Sequence, residues 1–131
     1  MKKEIHVVGA VIESEGKILC AQRGPGKALA YLCEFPGGKI EPGETGKEAL
    51  EREIREELLC EIVVKEKITT TKYEYNFAFV HLTTFKCMLT EGVPTLTEHV
   101  AVKWVPVDKL ELLEWAPADI PTINLLVNKN D

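Results

Sequence analysis

The alternation of apolar and polar residues divides the first 90 residues into strands around one helix. Residues 4–13 are rich in β-branched side chains, the turn-forming residues 14–16 follow, and residues 17–22 are apolar again. This pattern predicts a β-hairpin. By the same criteria, residues 61–68 are a strand and residues 71–88 form a longer β stretch.

Between these strands, a loop rich in glycine and proline leads into an amphipathic helix. Leu50, Ile54 and Leu58 recur every fourth residue, which marks the buried stripe of a helix. Thr45 and Glu48 have the spacing of a capping box, in which each side chain accepts a hydrogen bond from the backbone N–H of the other residue. The helix is therefore predicted to begin directly after Thr45.

Four aromatic residues alternate along the longer β stretch. Tyr73, Tyr75, Phe77 and Phe79 are each two residues apart, so they are expected to line one face of the sheet. Core packing is the default interpretation of such a row. The alternative is a wall on which a nucleobase stacks.

The last third of the chain is predicted to add one strand and two helices. Residues 100–107 read as a strand, Asp108 is placed to cap a short helix that ends near residue 114, and residues 120–128 form the last helix. Pro121 is compatible with the first turn of that helix. Strands before, between and after helices predict an α/β sandwich with mixed sheets, and the whole of residues 1–131 is expected to be a single domain.

Charge and cysteine content narrow the possible functions. A net charge of −5 argues against a general surface for a nucleic-acid polymer or an anionic membrane. Residues 7–12 are too short an apolar run for a membrane span and read as the first strand. The cysteines lack metal-binding spacing and are expected to be reduced, mostly core-filling thiols. The protein is expected to be cytoplasmic and to be a monomer or a homodimer. They are Cys20, Cys33, Cys60 and Cys87.

Three carboxylates on the central helix suggest a metal site. Glu53, Glu56 and Glu57 stand at positions i, i+3 and i+4, so they are expected to project toward one point. Like charges so placed repel each other, and a hard cation such as Mg²⁺, which prefers oxygen ligands, would relieve the repulsion and could hold a polyphosphate. The alternative is a solvated helix face with ordinary i,i+4 ion pairs such as that between Glu48 and Arg52.

The segments before this helix carry candidate substrate-binding residues. A loop at residues 23–27 contains the cations Arg23 and Lys27, which either reach a substrate phosphate or form part of a solvated turn. Two glycines at residues 37–38 let the backbone approach a ligand closely. Phe35 before them and Lys39 after them are therefore further candidates for substrate contact.

The loop and helix together resemble the Nudix box, G-x5-E-x7-R-E-U-x-E-E-x-G-U with U apolar. Leu59 and Cys60 stand where the pattern has its last glycine and its last apolar residue. Because glycine there would help the chain leave the helix, the exit turn is expected to differ while the carboxylates are kept. The matching residues are Gly38, Glu44, Arg52, Glu53, Ile54, Glu56 and Glu57.

Similarity to the MutT-like branch of this family extends beyond the box, to residues 34–39, 98–99 and 116–119. The resemblance implies a Nudix-type α/β/α sandwich with mixed sheets and a loop-helix-loop catalytic motif. It also implies a hydrolase that uses Mg²⁺, or Mn²⁺ in its place, to cleave a nucleoside triphosphate into nucleoside monophosphate and pyrophosphate. Metal ligands would be Glu53, Glu56, Glu57, Glu98 and the Gly38 carbonyl.

The same resemblance assigns roles to neighbouring residues. Glu53 or Glu98 would orient or deprotonate the attacking water, and the sequence does not choose between them. Glu98 can equally be a surface loop residue. Arg52 would orient a carboxylate, and Glu44 would brace the loop through such a cation.

Base selection is expected to depend on Asp119, at the position where the MutT-like branch carries an Asn or Asp that contacts the base. An ionised carboxylate accepts hydrogen bonds only, which favours an amino-bearing edge such as that of cytosine. Alternatively, Asp119 caps the last helix. The expected substrates are CTP-like or oxidised nucleotides; the alternatives are another nucleoside diphosphate derivative and a nucleotide-sensing domain without catalysis.

Overall fold

A computed structural model describes residues 2–26, 29–95 and 101–128 of the chain. Seven strands and two helices, together with two short 3₁₀ turns at Val107–Leu112 and Pro117–Asp119, make up the regular structure of these residues. The strands are β1 (Lys3–Ser14), β2 (Lys17–Gln22), β3 (Cys33–Glu34), β4 (Gly37–Lys39), β5 (Glu61–Glu74), β6 (Ala78–Glu91) and β7 (Ala101–Pro106), and the helices are α1 (Gly46–Leu58) and α2 (Ile120–Asn128).

Strand β1 is the centre of a mixed sheet. It pairs in parallel with β6 and antiparallel with β2 and β4, while β5 lies antiparallel to β6 on the outer side. Strand β2 also pairs with β3 and with β7. The mixed sheet predicted from the sequence is confirmed. Strand β1 also places the loop before α1, which contains β4 and is called the box loop below, next to the strands of the β5–β6 hairpin.

Helix α1 covers one face of the sheet. Thr45 is its N-cap, and the reciprocal bonds with Glu48 of the predicted capping box are present, so the predicted start of the helix is confirmed. The predicted stripe of Leu50, Ile54 and Leu58 is fully buried, in one cluster with residues of β1, β5 and β6. Burial of each such side chain contributes about 1.5–3 kcal/mol, which holds the helix, and therefore its polar face, in a fixed orientation.

A second apolar cluster fills the opposite face of the sheet. The ring of Phe35 packs against Trp115 with 5.0 Å between centroids. Leu110 from the first 3₁₀ turn and Ile123 from α2 belong to the same cluster. The sheet therefore lies between two cores, each covered by helical segments, which is the sandwich that the sequence predicts.

The exit from α1 is made by a leucine where the box pattern has glycine. Leu59 adopts the left-handed conformation (φ 55°, ψ 38°), and its N–H bonds the carbonyl of Arg55. Cys60 is buried, as the apolar position of the pattern requires. The turn thus keeps the left-handed backbone conformation that glycine would favour. A residue with a Cβ is strained in this conformation, so Leu59 destabilises the turn relative to glycine.

Two expectations for the strands were wrong. The predicted β stretch over residues 71–88 is divided, because the chain turns between β5 and β6 at residues 75–77. Tyr73 pairs with Val80 while Glu74 pairs with Phe79, so Phe79 lies on the face opposite Tyr73. A hairpin turn resets the alternation, and Phe79 instead contacts the ammonium groups of Lys2 and Lys72.

The expected cap at Asp108 was also wrong. The short helix is a 3₁₀ turn over Val107–Leu112 whose N-cap is Pro106, without a side-chain capping bond. Because proline fixes the backbone just before the turn, the chain enters it without help from a carboxylate.

The cysteines are free thiols, and Cys20, Cys60 and Cys87 are buried, as expected of core-filling residues. Burial raises the pKa of Cys20 and of Cys87 to about 12, so both remain neutral. Within residues 2–26, 29–95 and 101–128, no helix is long and apolar enough to cross a membrane.

Candidate active site

The box loop and helix α1 meet at two glycines. A Cβ at Gly37 would overlap the backbone carbonyl of Val8 in β1, and a Cβ at Gly38 would overlap the carboxylate of Glu53. Only glycine allows strand β4 to lie this close to both neighbours. The carboxylate of Glu53 is thereby held against the backbone of the loop, with 15% of its side chain exposed.

Arg52 is the centre of a hydrogen-bonded network at this junction. Its guanidinium donates to Glu44 at 2.6 and 2.9 Å, to Glu53 at 2.9 Å, to Glu56 at 3.1 Å and to the backbone carbonyl of Lys39 at 3.1 Å. The fixed fork of an arginine suits several oxygen acceptors at once. One cation therefore offsets three carboxylates and ties helix α1 to the box loop.

The strongest partner of Arg52 is Glu44. The hydrogen bonds from Arg52, followed by the backbone N–H of Glu41, lower the pKa of Glu44 to about 2. The same pairing raises the pKa of Arg52. Both groups stay charged at any pH near neutrality, so the connection between loop and helix does not depend on pH in that range.

Two of the three box carboxylates meet at one atom: Arg52 Nη1 donates to Glu53 at 2.9 Å and to Glu56 at 3.1 Å, and 61% of the Glu56 side chain is exposed. Glu57, the third carboxylate, lines the cavity described below. In the part of the chain that the structure describes, no three Asp, Glu, His or Cys side chains form a ready-made metal centre. Glu98, the further expected ligand and alternative base, lies outside the described residues, as does Lys27.

The donor set nevertheless fits a hard divalent cation. The carboxylate of Glu53 lies against the Gly38 backbone, where the absence of a side chain leaves room for it. Glu57 lines the cavity that begins here, with one carboxylate oxygen buried. Oxygen ligands of this type are those that Mg²⁺ and Mn²⁺ prefer.

A cavity of about 290 Å³ leads away from this junction, between the sheet and the 3₁₀ turn Pro117–Asp119. It is lined by Gly38, Lys39 and Glu57 of the box, and also by Arg23, Glu34 and Asp119. Its walls are mostly apolar and aromatic, which is typical of pockets that enclose a small organic ligand. The wall residues include Ile5, Val7, Leu29, Tyr75, Phe77, Val80 and Leu82.

Asp119 is a buried acid in the lining of this cavity. It is 5% exposed, and its Oδ1 accepts the backbone N–H of Phe35 at 3.2 Å, a bond that connects the last part of the chain to the box loop. Burial raises the pKa of Asp119 to about 8, and the nearby Glu34 carboxylate acts in the same direction. At neutral pH the group is mostly protonated and can donate a hydrogen bond as well as accept one.

This protonation corrects the expectation that Asp119 acts only as an acceptor. The physical reason is the cost of an ionised carboxylate in an apolar surrounding, which one backbone N–H does not offset. The bond to Phe35 also gives Asp119 a role different from that of a cap for α2. Its side chain faces the cavity instead.

The other expected substrate-binding residues divide into two groups. Lys39 is exposed and lines the cavity near the box. Arg23 also lines the cavity, and its Nη1 donates to Glu34 Oε1 at 2.9 Å. The ring of Phe35 is a core side chain, and its backbone N–H, bonded to Asp119, is the polar group it contributes.

Two residues of the cavity were missed by the sequence reasoning. Glu34 was overlooked because nothing in its local pattern indicates a pairing with Arg23 across the β2–β3 strands. Tyr75 was included only in the alternating aromatic row. Its hydroxyl accepts the backbone N–H of Ala118 at 2.9 Å, a contact between residues 43 positions apart that no local pattern could reveal.

Comparison with known proteins gives one consistent result. A model of the NUDIX domain matches residues 2–126. The CTP pyrophosphohydrolase of Escherichia coli (strain K12) is 40% identical over 121 residues, which cover 92% of this chain and 90% of that protein. The 8-oxo-dGTP diphosphatase of Haemophilus influenzae is 32% identical over 129 residues, with 98% and 95% coverage.

Among solved structures, the solution NMR structure of a protein described as DNA mismatch repair protein MutT, of the Nudix hydrolase family, is similar throughout. It comes from methicillin-resistant Staphylococcus aureus 252 and superposes with a TM-score of 0.81 at 53% sequence identity. The match covers 98% of this chain and 99% of that chain.

Proposed function

The chain belongs to the Nudix family, and from this premise we propose that it is a nucleoside-triphosphate pyrophosphohydrolase acting on cytosine-containing or oxidised nucleotides. The products are the nucleoside monophosphate and pyrophosphate. One observation supports this assignment above others: the same cavity is lined by Glu57 and the two box glycines and by the buried acid Asp119. A nucleotide would span it, with the phosphates at the box and the base beside Asp119, at what we take as the far end of the cavity.

Nudix hydrolases generally use divalent metal ions, and the oxygen donors at the box suit Mg²⁺, with Mn²⁺ as a substitute. Glu53, Glu56, Glu57 and the Gly38 carbonyl would hold the metal, with Glu98 as a further ligand. When bound, the metal would offset phosphate charge and make a coordinated water more acidic.

The protein's own residues position the nucleophile. In hydrolysis, a water oxygen forms a bond to phosphorus, the bridging P–O bond breaks, and the displaced phosphate oxygen leaves with the pyrophosphate. Glu53 orients this water or takes its proton, and Glu98 is the other candidate for the same role. Arg52 holds the Glu53 carboxylate at 2.9 Å and is itself fixed by Glu44, so the base keeps one orientation.

The far end of the cavity supplies base recognition in this proposal. A neutral Asp119 can donate its O–H to a ring nitrogen or carbonyl of the base while Oδ1 keeps its bond to Phe35. A buried donor and acceptor discriminate well, because a base that leaves them unpaired loses the energy of desolvation. Lys39, at the other end, adds positive charge near the phosphates.

The direct test is the variant Glu53→Gln measured against a panel of nucleotides with a pyrophosphate readout. We expect turnover to fall by at least about 100-fold, because loss of a general base typically has an effect of this size. Glu51→Gln, on the same helix but outside the set of expected ligands, is the matched control and should stay active. Unchanged turnover in Glu53→Gln would reject the mechanism.

The panel should contain normal and oxidised triphosphates together with nucleoside diphosphate sugars. Release of pyrophosphate from cytosine or oxidised nucleotides supports the proposed substrate. Cleavage confined to the diphosphate sugars would instead assign the chain to another nucleoside diphosphate derivative.

A further inference from the structure

Three aromatic rings form a continuous row, two of whose members line the cavity. Tyr73 and Tyr75 have centroids 4.7 Å apart, and Tyr75 and Phe77 are stacked at 5.2 Å with only 6° between their planes. Tyr75 is therefore the middle ring, with a neighbour on each side. The row ends at the turn between β5 and β6, and its two outer members are far more exposed than the middle one.

The three rings differ in what they contact. Tyr75 is 8% exposed, and its hydroxyl is fixed by the N–H of Ala118, the residue before Asp119. Phe77 is 50% exposed and lines the cavity, whereas Tyr73, 39% exposed, does not line it. Phe77 is thus a ring that rests on a rigid support and presents its remaining surface to the cavity and to solvent.

We propose that Phe77 is the stacking surface for the nucleobase and that Tyr75 is a positioning residue that keeps this surface in register with Asp119. The inference rests on the proposed function, since it assumes that a nucleotide fills the cavity. A single exposed apolar residue is common on protein surfaces. Phe77 differs from such residues because it is stacked on a buried ring and shares a cavity with a buried acid.

Stacking and hydrogen bonding would then have separate consequences. Every base has an aromatic face, so stacking on Phe77 adds affinity without distinguishing one base from another. Discrimination between bases then depends on Asp119. The residue before it, Ala118, donates its backbone N–H to the Tyr75 hydroxyl, which connects the two residues. Loss of Phe77 should weaken all nucleotides to a similar degree, while loss of the Tyr75 hydroxyl should change the preference among them.

The test compares Phe77→Ala with Tyr73→Ala, which removes an exposed ring of the same row outside the cavity. Binding of CMP, of an oxidised guanosine monophosphate and of ribose 5-phosphate is measured by calorimetry for each variant. We expect Phe77→Ala to weaken both nucleotides by roughly 5- to 150-fold, the range for loss of one stacked base. Ribose 5-phosphate, which has no base, should bind as it does to the unchanged protein, and Tyr73→Ala should leave all three ligands unaffected.

Two further variants complete the experiment. Phe77→Trp should retain or strengthen nucleotide binding, and Tyr75→Phe, which keeps the ring, should shift the ratio of KM values between bases while kcat changes little. Equal weakening of CMP and ribose 5-phosphate in Phe77→Ala, or no weakening of either nucleotide, would overturn the inference. Absence of pyrophosphate release by the unchanged protein would instead refute the proposed function, and the binding comparison would still decide the role of Phe77.

Discussion

Replacement of Asp119 by asparagine should change how the stability of the protein depends on pH. The folded-state pKa of Asp119 is about 8, compared with 3.8 for an unperturbed aspartate. Between these values the folded protein holds a proton that the unfolded chain has released. The free energy of unfolding therefore falls as pH rises from the unfolded to the folded pKa, and the loss is complete above the folded pKa. Asparagine cannot ionise, so in the variant this residue no longer makes the free energy of unfolding depend on pH.

The magnitude follows from one proton. A difference of one bound proton changes the free energy of unfolding by about 1.4 kcal/mol per pH unit, or by about 4 kcal/mol between pH 5 and pH 8. We take half of this, about 2 kcal/mol, as the smallest effect to expect. Asparagine keeps an oxygen that can accept the Phe35 N–H, so the two proteins should differ little at pH 5.

Urea denaturation at pH 5, 6.5 and 8 measures this effect. Asp119→Asn should become more stable than the unchanged protein as pH rises, with the difference growing toward pH 8. Asp108→Asn, an exposed aspartate in the other 3₁₀ turn, is the matched control and should follow the unchanged protein. If the free energy of unfolding changed with pH in the same way for Asp119→Asn and the unchanged protein, Asp119 would not be protonated in the folded protein.

Three further substitutions test other features of the structure. Gly38→Ala would drive the Glu53 carboxylate from its place and should lower turnover by about 100-fold in a pyrophosphate assay, with circular dichroism unchanged. Leu59→Gly relieves the left-handed backbone of an exposed residue and should stabilise the protein by up to about 1 kcal/mol in thermal unfolding. Thr122→Val leaves the buried Thr84 hydroxyl without its 2.9 Å partner and should destabilise the protein by about 1–3 kcal/mol in urea.

Two of these substitutions have a matched control, and the third has a defined contrary outcome. Gly46→Ala places a Cβ at an ordinary 3.4 Å from Phe85 and should remain active, so equal losses in both alanine variants would point to a general defect. A double variant, Thr84→Val with Thr122→Val, should recover most of the stability that the single change loses. Destabilisation of Leu59→Gly by more than about 1 kcal/mol would show that the leucine side chain contributes packing that outweighs backbone strain.

Local patterns were sufficient for helix α1 and for the β1–β2 hairpin that precedes it. The capping box at Thr45, the apolar period of four and the glycines before them all act within a few residues, so the chain itself carries the information. The left-handed turn at Leu59 could be located as an exception, because the box pattern shows where glycine is normally required.

Contacts between distant residues were not predictable in the same way. The pKa of Asp119 depends on burial beneath residues far away in the sequence, and the choice of Arg52 as the partner of Glu53 and Glu56 depends on side-chain geometry. The turn that separates Tyr73 from Phe79 was hidden because both of its flanks have strand-forming sequences. In each case the outcome depends on contacts between residues far apart in the sequence, which a local pattern does not contain.

The parallel pairing of β1 with β6 also determines when the active site can form during synthesis. This pairing joins Lys3 to Ala78 and Ile12 to Cys87, so the whole of α1 and the box loop lies inside the loop of chain that it closes. Asp119 emerges later still. A nascent chain that has not reached Asp119 therefore lacks part of the cavity lining, and the apolar residues that line the cavity stay uncovered until that segment is made.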